Sequence, residues 1–348
     1  MSSTKEIKLL IVDDSAFMRQ LIKDLLATHK NIKTEAASNG KLALQKIKEF
    51  KPDIITLDIE MNIMDGLELL EVMKNENIFI PTIMLSRLTQ KNGEITMKAL
   101  DLGAIDFISK PESNLVSLEF DKLATELFDK INVALNVSKR PTYTNTTNKE
   151  PVKIKSSFII PKVLVIGSST GGPGALFNIF SRLPKVNIPI IIIQHMPAGF
   201  TDSLAKRLND INEMTVKVAE NNEIIKPSTV YLAPGDYHLT LNLDNRITLD
   251  NKSSTYKGVR PSYDIALKSI AKVFGGRILT VILTGMGNDG SEGIDIIKKL
   301  GGKCIAQDKE SCVVFGMPES VISMENADSV TPLNKIPEEI VHYLMNWN

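Results

Sequence analysis

A loop of small residues follows a strand-like run in the second half of the chain. The segment VLVIGSSTGGPGAL contains Ser168, Ser169 and Thr170 where the predicted strand must turn. A loop between a strand and a helix can bind a phosphate, or it can present a serine nucleophile at the positive end of the helix. This loop lacks the G-x-G-x-x-G spacing of dinucleotide sites and the Lys-Ser/Thr of a Walker loop. The pattern therefore favours a nucleophile, with helix capping by the hydroxyls as the alternative.

A serine nucleophile needs a general base, and histidine is the usual one. The chain has four histidines, which keeps the search short. His29 and His342 fall in helix-like segments, and His238 falls in an alternating segment typical of a hairpin strand. His195 ends the buried-type strand IPIIIIQH, directly before a turn. Because the ends of parallel strands share one sheet edge, His195 is the candidate base beside the serine loop.

A third strand end supplies an acid that could orient the histidine. The segment RILTVILTGMGNDGSEG predicts a strand and then a glycine-rich loop that carries Asp289. Backbone N–H groups of such a loop, at Met286 or its neighbours, could hold an oxyanion. Serine, histidine and aspartate at three strand ends predict general-base catalysis. In that chemistry the histidine takes the hydroxyl proton and the aspartate fixes the imidazole.

Polar residues also close successive strand-like runs in the first third of the chain. They are Asp13, Asp14, Asp58, Ser86 and Lys110. Carboxylates gathered at one sheet edge repel one another unless a cation joins them, and oxygen ligands of this kind suit Mg²⁺. A hydroxyl and an ammonium group beside them would receive phosphoryl oxygens. A single acid would be read as a solvated cap, but the matched strand ends predict a phosphoryl site.

The elements that must position these residues alternate between strands and helices. Apolar runs in residues 8–110 are separated by amphipathic stretches such as AFMRQLIKDLLATH, in which apolar residues recur at helical spacing. This alternation predicts a five-stranded parallel sheet covered on both faces, followed by a closing helix over residues 115–137. The predicted strands are KLLIVD, IKTEAAS, DIITLD, IPTIMLS and AIDFISK.

A change of composition divides the chain. Residues 138–157 are polar and have almost no large aliphatic side chains, which predicts a linker. Strand and helix patterns resume at Phe158 and continue to the end. We therefore expect a first α/β domain over residues 1–137 and a second α/β domain over residues 158–348.

Composition and charge exclude several classes of function. The 348 residues carry 41 basic and 41 acidic side chains, so no net charge attracts the chain to nucleic acid or an anionic membrane. The N-terminus is unlike a signal peptide, and the most apolar stretch is too short for membrane insertion. Cys304 and Cys312 have no histidine nearby in sequence. We expect both to be small buried side chains of a cytoplasmic protein.

The first domain resembles the receiver domains of two-component response regulators, because its acids, hydroxyl and lysine stand at the strand ends of that family. The resemblance implies a flavodoxin-like fold in which Asp58 is phosphorylated. It also implies that Asp13 and Asp14 complete an Mg²⁺ site with Asp58. Ser86 and Lys110 would be the hydroxyl switch and the lysine that respond to the phosphoryl group.

The second domain resembles the chemotaxis protein-glutamate methylesterase/glutamine deamidase (CheB) family. The resemblance implies a Rossmann-like, doubly wound α/β hydrolytic domain with Ser169, His195 and Asp289 as the catalytic triad. It also implies that Thr170 and Met286 are active-site neighbours. With the receiver in front, the similarity covers nearly the whole chain. The segments that carry it are IGSSTGGPGAL, IIQHMPAGFTDSLAKRL, VYLAPGDYHL, RPSYDIALKSIA, VILTGMGNDGSEG and IAQDKESCVVFGMPES.

Three positions depart from the pattern of these families. Asn62 stands where a proline usually follows the phosphoacceptor loop, and Arg87 replaces the serine common after Ser86. Ser168 stands where alanine is usual. The change at Asn62 removes no reactive group, and spacing within the serine motif favours Ser169 as the nucleophile.

The resemblance implies that the protein hydrolyses glutamyl methyl esters on chemotaxis receptors and deamidates receptor glutamines, without a cofactor for the hydrolytic step. It further implies that the receiver blocks the active site until a chemotaxis histidine kinase phosphorylates Asp58. Two alternatives remain open. One is an enzyme of the same fold that acts on a protein ester or amide outside chemotaxis, and the other is a non-enzymatic regulator whose second domain only binds a partner.

Overall fold

The computed structural model describes residues 6–29, 31–87, 90–111, 117–135, 137 and 162–347. The chain divides into two compact units, Met1–Thr142 and Tyr143–Asn348. The linker expected at residues 138–157 and the start expected at Phe158 lie outside the described residues. No helix in the described ranges combines the length and apolar character needed to cross a membrane.

The first unit contains a five-stranded parallel sheet in the order β2-β1-β3-β4-β5, which confirms the predicted fold class. Its strands are β1 (Ile7–Val12), β2 (Ile32–Ala37), β3 (Ile54–Asp58), β4 (Thr82–Ser86) and β5 (Asp106–Ser109). Its helices are α1 (Ala16–Leu26), α2 (Gly40–Phe50), α3 (Gly66–Asn75), α4 (Gln90–Asp101) and α5 (Ser117–Ala134).

Capping residues fix the helix starts beside the carboxyl ends of these strands. The side chain of Ser15 accepts a hydrogen bond from the first turn of α1, and that of Asn39 does the same for α2. Asp65 and Glu68 form a reciprocal capping box at the start of α3. Every residue of β3 and β4 is buried, as expected for central strands covered by helices on both faces.

The second unit contains a seven-stranded parallel sheet in the order β14-β13-β12-β6-β7-β9-β8, and β10 and β11 form an antiparallel hairpin. Its strands are β6 (Val163–Ser168), β7 (Ile190–Gln194), β8 (Thr215–Val218), β9 (Thr229–Leu232), β10 (His238–Leu241), β11 (Ile247–Asp250), β12 (Ile278–Ile282), β13 (Lys303–Gln307) and β14 (Ser329–Thr331). Its helices are α6 (Gly172–Phe180), α7 (Ala198–Asp210), α8 (Tyr263–Phe274), α9 (Ser291–Lys299), α10 (Met317–Ser323) and α11 (Ile336–Met345), with a 3₁₀ turn at Leu333–Lys335.

The strand order creates a crevice at the carboxyl end of β6. From β6 the chain passes to β7 on one side, and it returns later to place β12 on the other side. Such a reversal of strand order is the point at which open α/β sheets bind their ligands. β6, β7 and β12 are buried along their whole length, so the sheet centre is a rigid support for the loops that follow them. This arrangement confirms the predicted doubly wound second domain.

Candidate functional site

The serine loop leaves β6 at the crevice and turns directly into α6. Ser168 is fully buried, and its Oγ donates a hydrogen bond of 2.6 Å to Gln194 Oε1. Ser169 is only partly buried, and its backbone N–H donates to the carbonyl of Thr284 at 3.0 Å. Thr170 is buried, and its carbonyl accepts from Thr284 Oγ1 at 2.9 Å. The two serines therefore differ in exposure and in hydrogen bonding.

A glycine makes the sharp turn between Ser169 and α6 possible. Gly171 has φ +77°, a left-handed conformation that favours glycine, and a Cβ atom there would lie 2.6 Å from Val313 Cβ. The turn places the serine loop at the N-terminus of α6, where the helix dipole is positive. The loop thus has the strand–turn–helix form that its sequence predicts.

A histidine and a buried aspartate meet beside the serine loop. His195 follows β7, and its backbone N–H donates to the carbonyl of Ser168 at 3.0 Å. Its Nε2 lies 2.9 Å from Asp289 Oδ2, and both side chains are less than a tenth exposed, at 9% and 4%. Within the described part of the chain, the buried Nδ1 has no hydrogen-bond partner. Nδ1 is therefore the ring nitrogen that Asp289 does not occupy, and it makes no hydrogen bond with Ser169 Oγ in this structure.

The carboxylate of Asp289, from the loop before α9, lies at the N-terminus of α8, where backbone N–H groups converge on it. Its Oδ1 accepts from Ser262 Oγ at 2.8 Å and from Asp264 N at 3.1 Å, while its Oδ2 accepts from Tyr263 N at 2.6 Å. Burial alone would raise the pKa of Asp289, but the bond to His195 and these N–H donors lower it to about 2. Asp289 is therefore a carboxylate at neutral pH.

Sequence reasoning missed the residues that hold this carboxylate. Ser262 caps α8, and its backbone N–H donates to His238 Nδ1 at 3.2 Å. His238 is 2% exposed, and its Nε2 contacts the carbonyl of Ser254 at 3.1 Å. A serine directly before an apolar helical run is the signal that could have identified Ser262 as a cap. No local signal connects His238 to the site, because the contact spans 24 residues.

The loop after β12 lies against the serine loop. A Cβ atom at Gly285 would lie 2.8 Å from Ser169 Cβ and 3.1 Å from Ser169 N, so only glycine allows this approach. Met286 follows and is 42% exposed. The fold therefore brings together the loops of Ser169, His195 and Asp289, with Met286 at their surface. This is an arrangement suited to acyl transfer.

The first unit brings three carboxylates and a lysine together at its own sheet edge. Oxygen atoms of Asp13, Asp14 and Asp58 lie within 4.8 Å of one another. Lys110 Nζ lies 2.7 Å from Asp13 Oδ2 and 2.6 Å from Asp58 Oδ2. Burial and then the charge of Asp13 raise the pKa of Asp58 to about 6, against the opposing effect of Lys110. The cluster could hold a divalent cation, since a hard cation prefers such oxygen ligands.

Ser86 ends β4 beside this cluster and is buried. Thr96 Oγ1 on α4 donates to Ser86 Oγ at 2.9 Å, a contact that the sequence did not predict. The carbonyl of Ser86 accepts from Lys110 N at 2.7 Å. The backbone bond keeps the ends of β4 and β5, which carry the hydroxyl and the lysine, next to each other at this sheet edge.

Comparison with known proteins assigns a family to each of the two units. A family model described as CheB methylesterase matches residues 164–340, and one described as response regulator receiver domain matches residues 9–118. A Thermotoga maritima protein named protein-glutamate methylesterase/protein-glutamine glutaminase is 46% identical over 342 residues, which cover 96% of this chain and 98% of that protein. A Clostridium acetobutylicum protein of the same name is 42% identical over 342 residues, covering 97% of each.

A solved structure supports the same assignment. The crystal structure of the Thermotoga maritima CheB methylesterase catalytic domain is 50% identical, with a TM-score of 0.50, and the match covers 52% of this chain and 97% of that one. Both family matches lie where the sequence resemblance predicted them. The chain therefore belongs to the CheB family of protein-glutamate methylesterase/protein-glutamine glutaminases, with a response regulator receiver domain in front of the methylesterase domain.

Proposed function

We propose that this protein is a phosphorylation-activated serine hydrolase that removes methyl groups from glutamyl esters of methyl-accepting chemotaxis receptors and so gives adaptation in chemotaxis. It also deamidates receptor glutamines. The observation that carries the proposal is the 2.9 Å contact between His195 Nε2 and Asp289 Oδ2 beside the partly exposed Ser169. The relatives named for these two activities match the chain over almost its whole length.

In the proposed mechanism Ser169 is the nucleophile. Its Oγ attacks the ester carbonyl carbon while its proton passes to His195 Nδ1, and Asp289 stabilises the resulting imidazolium through Nε2. The bond to the methoxy oxygen then breaks, and the imidazolium returns the proton to that oxygen to form methanol. Water then attacks the acyl carbon while His195 takes a proton from it. The bond to Ser169 Oγ breaks, that oxygen regains the proton, and the glutamate side chain is released. Deamidation differs only in its leaving group, which is ammonia.

The geometry favours Ser169 over its neighbour as the nucleophile. The Ser168 hydroxyl is fully buried and donates a hydrogen bond to Gln194 Oε1, which argues against it as the group that attacks a substrate. Thr170 and Met286 flank Ser169 on the two loops that meet there, and backbone N–H groups of these loops would receive the oxyanion. Each proton transfer has a side chain to carry it, so we propose no cofactor for the hydrolytic step.

Control of this activity is proposed to begin at Asp58, which accepts a phosphoryl group from a chemotaxis histidine kinase. Asp13, Asp14 and Asp58 would hold Mg²⁺, whose charge would balance the incoming phosphoryl oxygens. Lys110 already bridges two of these carboxylates and would pair with the new anion. Ser86 would then respond through its hydroxyl, at the expense of its bond with Thr96.

We also propose a cytoplasmic location, which the cysteine chemistry and the proposed partners support. Cys304 and Cys312 are free thiols; Cys304 is buried as expected, whereas Cys312 is only partly buried, and burial raises the pKa of Cys304 to about 12. A chain without disulfides is typical of the reducing cytoplasm. A cytoplasmic location also suits an enzyme that takes its phosphoryl group from a histidine kinase.

Release of methanol from methylated receptor membranes tests the proposed function and separates it from both alternatives. We expect the phosphorylated full-length protein to release methanol from these membranes, and to release ammonia from membranes whose receptors carry glutamine. Hydrolysis of simple esters without activity on receptors would favour a substrate outside chemotaxis. Receptor binding without hydrolysis of any ester would favour a non-enzymatic regulator.

A further inference from the structure

The carboxamide of Gln194 uses three hydrogen bonds to join the serine loop to the histidine loop. Its Nε2 donates to the carbonyl of Ser169 and to the carbonyl of His195, both at 2.9 Å. Its Oε1 accepts from Ser168 Oγ at 2.6 Å. The side chain is 2% exposed, so water does not replace these partners at low cost.

This side chain acts where backbone pairing between β6 and β7 ends. Ser168 and Gln194 are opposite each other in the parallel register, and His195 N donates to the carbonyl of Ser168. Beyond that point the two loops diverge, because one enters α6 and the other leads to α7. The amide of Gln194 joins the two loops by hydrogen bonds beyond the point where the β6–β7 backbone pairing ends.

Hydrogen bonds at both the oxygen and the nitrogen fix the orientation of the Gln194 amide. The Ser168 hydroxyl donates to Oε1, so a reversed amide would place its oxygen against two carbonyl oxygens. A Cβ atom at Gly172 would collide with Gln194 Oε1, which shows that the amide packs closely against the start of α6. Gln194 therefore has little freedom to move.

We propose that Gln194 is a positioning residue for the hydrolytic reaction. Its amide, oriented by Ser168, fixes the position of the nucleophile Ser169 relative to the base His195. The inference rests on the proposed function, because it assigns the role of the amide in that reaction. Gln194 touches neither the substrate nor the reacting atoms. Its effect reaches the reaction only through the positions of the two loops.

Replacing Gln194 by glutamate tests the role, because the carboxylate has a similar shape but donates no hydrogen bond when it is ionised. The chain offers a matched control. Asn212 Nδ2 donates to the carbonyls of Phe180 and Leu183 at 2.7 and 2.9 Å, and Asn212 Oδ1 accepts from Met214 N at 2.9 Å. Asn212→Asp therefore removes two amide donors to backbone carbonyls in the same unit, at a side chain that is less buried than Gln194 and lies away from the reacting groups.

We expect Gln194→Glu to lower kcat for methanol release about 10- to 100-fold with KM unchanged, because small displacements of catalytic groups are costly. Asn212→Asp should lower the unfolding temperature by a smaller amount, because its side chain is partly exposed, and leave kcat within about twofold of wild type. A folded Gln194→Glu protein with normal kcat would overturn the proposal. An equal loss of kcat in Asn212→Asp would also overturn it, because the effect would then be one of general stability.

A mutant cycle with Ser168 gives a second measurement. Ser168→Ala should fold, because alanine is usual at this position in the family, and we expect it to lower kcat about 3- to 10-fold. In a Gln194→Met background the same change should have almost no effect, since Ser168 acts through the amide. Full additivity would contradict the proposed coupling. Absence of methanol release by the wild-type protein would instead refute the proposed function itself.

Discussion

Asp289 carries the negative charge on which the proposed proton transfers depend. Its carboxylate is buried, yet the imidazole of His195 and the backbone N–H groups of Tyr263 and Asp264 keep its pKa at about 2. An asparagine at this position would fill the same space. It would present an N–H group where the imidazole needs an acceptor, and so favour the wrong tautomer.

We therefore expect Asp289→Asn to reduce kcat for methanol release by a factor of about 10³ to 10⁴. Asp295→Asn is a matched control, because Asp295 pairs with Lys299 on the surface of α9 in the same unit. The control should retain wild-type kcat. Turnover by Asp289→Asn within about tenfold of wild type would mean that Asp289 does not orient the base.

The pKa of Asp58, in the receiver unit, is changed in the opposite direction. Burial, together with the charge of Asp13, raises its pKa from 3.8 to about 6. Between these two pKa values the folded state binds more protons than the unfolded state, so this group makes stability fall as the pH rises through that window. The carboxylate proposed to accept the phosphoryl group therefore lowers the stability of the fold above about pH 6, and a bound cation would reduce this loss.

The predicted consequence is that Asp58→Asn stabilises the receiver unit by about 1–3 kcal/mol at about pH 7.5, since one pKa unit corresponds to about 1.4 kcal/mol. The difference from wild type should vanish near pH 4, where the native carboxyl is neutral. Hydrogen exchange of the amides of β3 and β4, without divalent cations, would measure it. A variant less stable than wild type at about pH 7.5 would show that the pairing with Lys110 outweighs the burial of Asp58.

The sequence indicates the residues proposed for catalysis more clearly than the residues that support them. Ser169, His195 and Asp289 each follow an apolar run, and parallel strands bring such positions to one edge. Gln194 and His238 contact the site through pairs separated by 24 or 25 residues, and nothing in the local pattern indicates those pairs. Supporting contacts of this kind depend on packing and require the structure.

At the scale of elements, the site depends on how α8 packs on β6. The ring of Tyr263 lies directly on Gly167, and its hydroxyl donates to the carbonyl of Val165 at 2.8 Å. Tyr263 is fully buried, and its backbone N–H also holds Asp289. The absence of a side chain at Gly167 therefore sets the distance between α8 and the sheet, and with it the position of the carboxylate proposed to act in catalysis.

We expect Gly167→Ala to lower the free energy of unfolding of the second unit by about 2–3 kcal/mol, because a Cβ atom there would overlap the Tyr263 ring. Gly258→Ala is the comparison, since Gly258 has φ +83° but open space around it and should cost only about 1 kcal/mol of backbone strain. Urea unfolding followed by the fluorescence of Trp347, the single tryptophan, would measure both. Equal costs would show that α8 moves freely to accommodate the methyl group.

Sequence patterns identified the five receiver strands and the strands around the serine loop, but not the edge strands of the seven-stranded sheet. The five receiver strands and the buried strands around the serine loop have long apolar runs or clear alternation, so their periods identify them. β8 and β14 have only four and three residues, at the two edges of the seven-stranded sheet. Such short edge strands carry little periodic signal, and the strand order itself depends on long-range pairing.

At the scale of the whole molecule, the proposed regulation requires that the receiver unit hold the second unit in a blocked state. All three proposed catalytic residues belong to the second unit, and the Thermotoga maritima catalytic domain that resembles it was crystallised as a separate domain. The blocked population should disappear when the receiver is removed.

A fragment of residues 158–348 should therefore release methanol faster than the unphosphorylated full-length protein, and it should not respond to a small-molecule phosphodonor. Full-length Asp58→Asn is the control, and it should keep the low activity of the unphosphorylated state. Suppose the fragment is well folded by circular dichroism yet no faster than the unphosphorylated parent. The receiver would then not act by covering the site, and phosphorylation would have to recruit substrate or assemble the catalytic groups.

Methanol release by Ser169→Ala and Ser168→Ala, measured side by side on methylated receptor membranes, tests the assignment of the nucleophile most directly. If Ser169 attacks the ester, Ser169→Ala should lose a factor of about 10³ or more in kcat while its circular dichroism spectrum matches wild type. Ser168→Ala should lose no more than about tenfold, since it only orients a neighbouring amide. Near-normal turnover by Ser169→Ala, with the large loss in Ser168→Ala instead, would show that the nucleophile is the other serine of the loop.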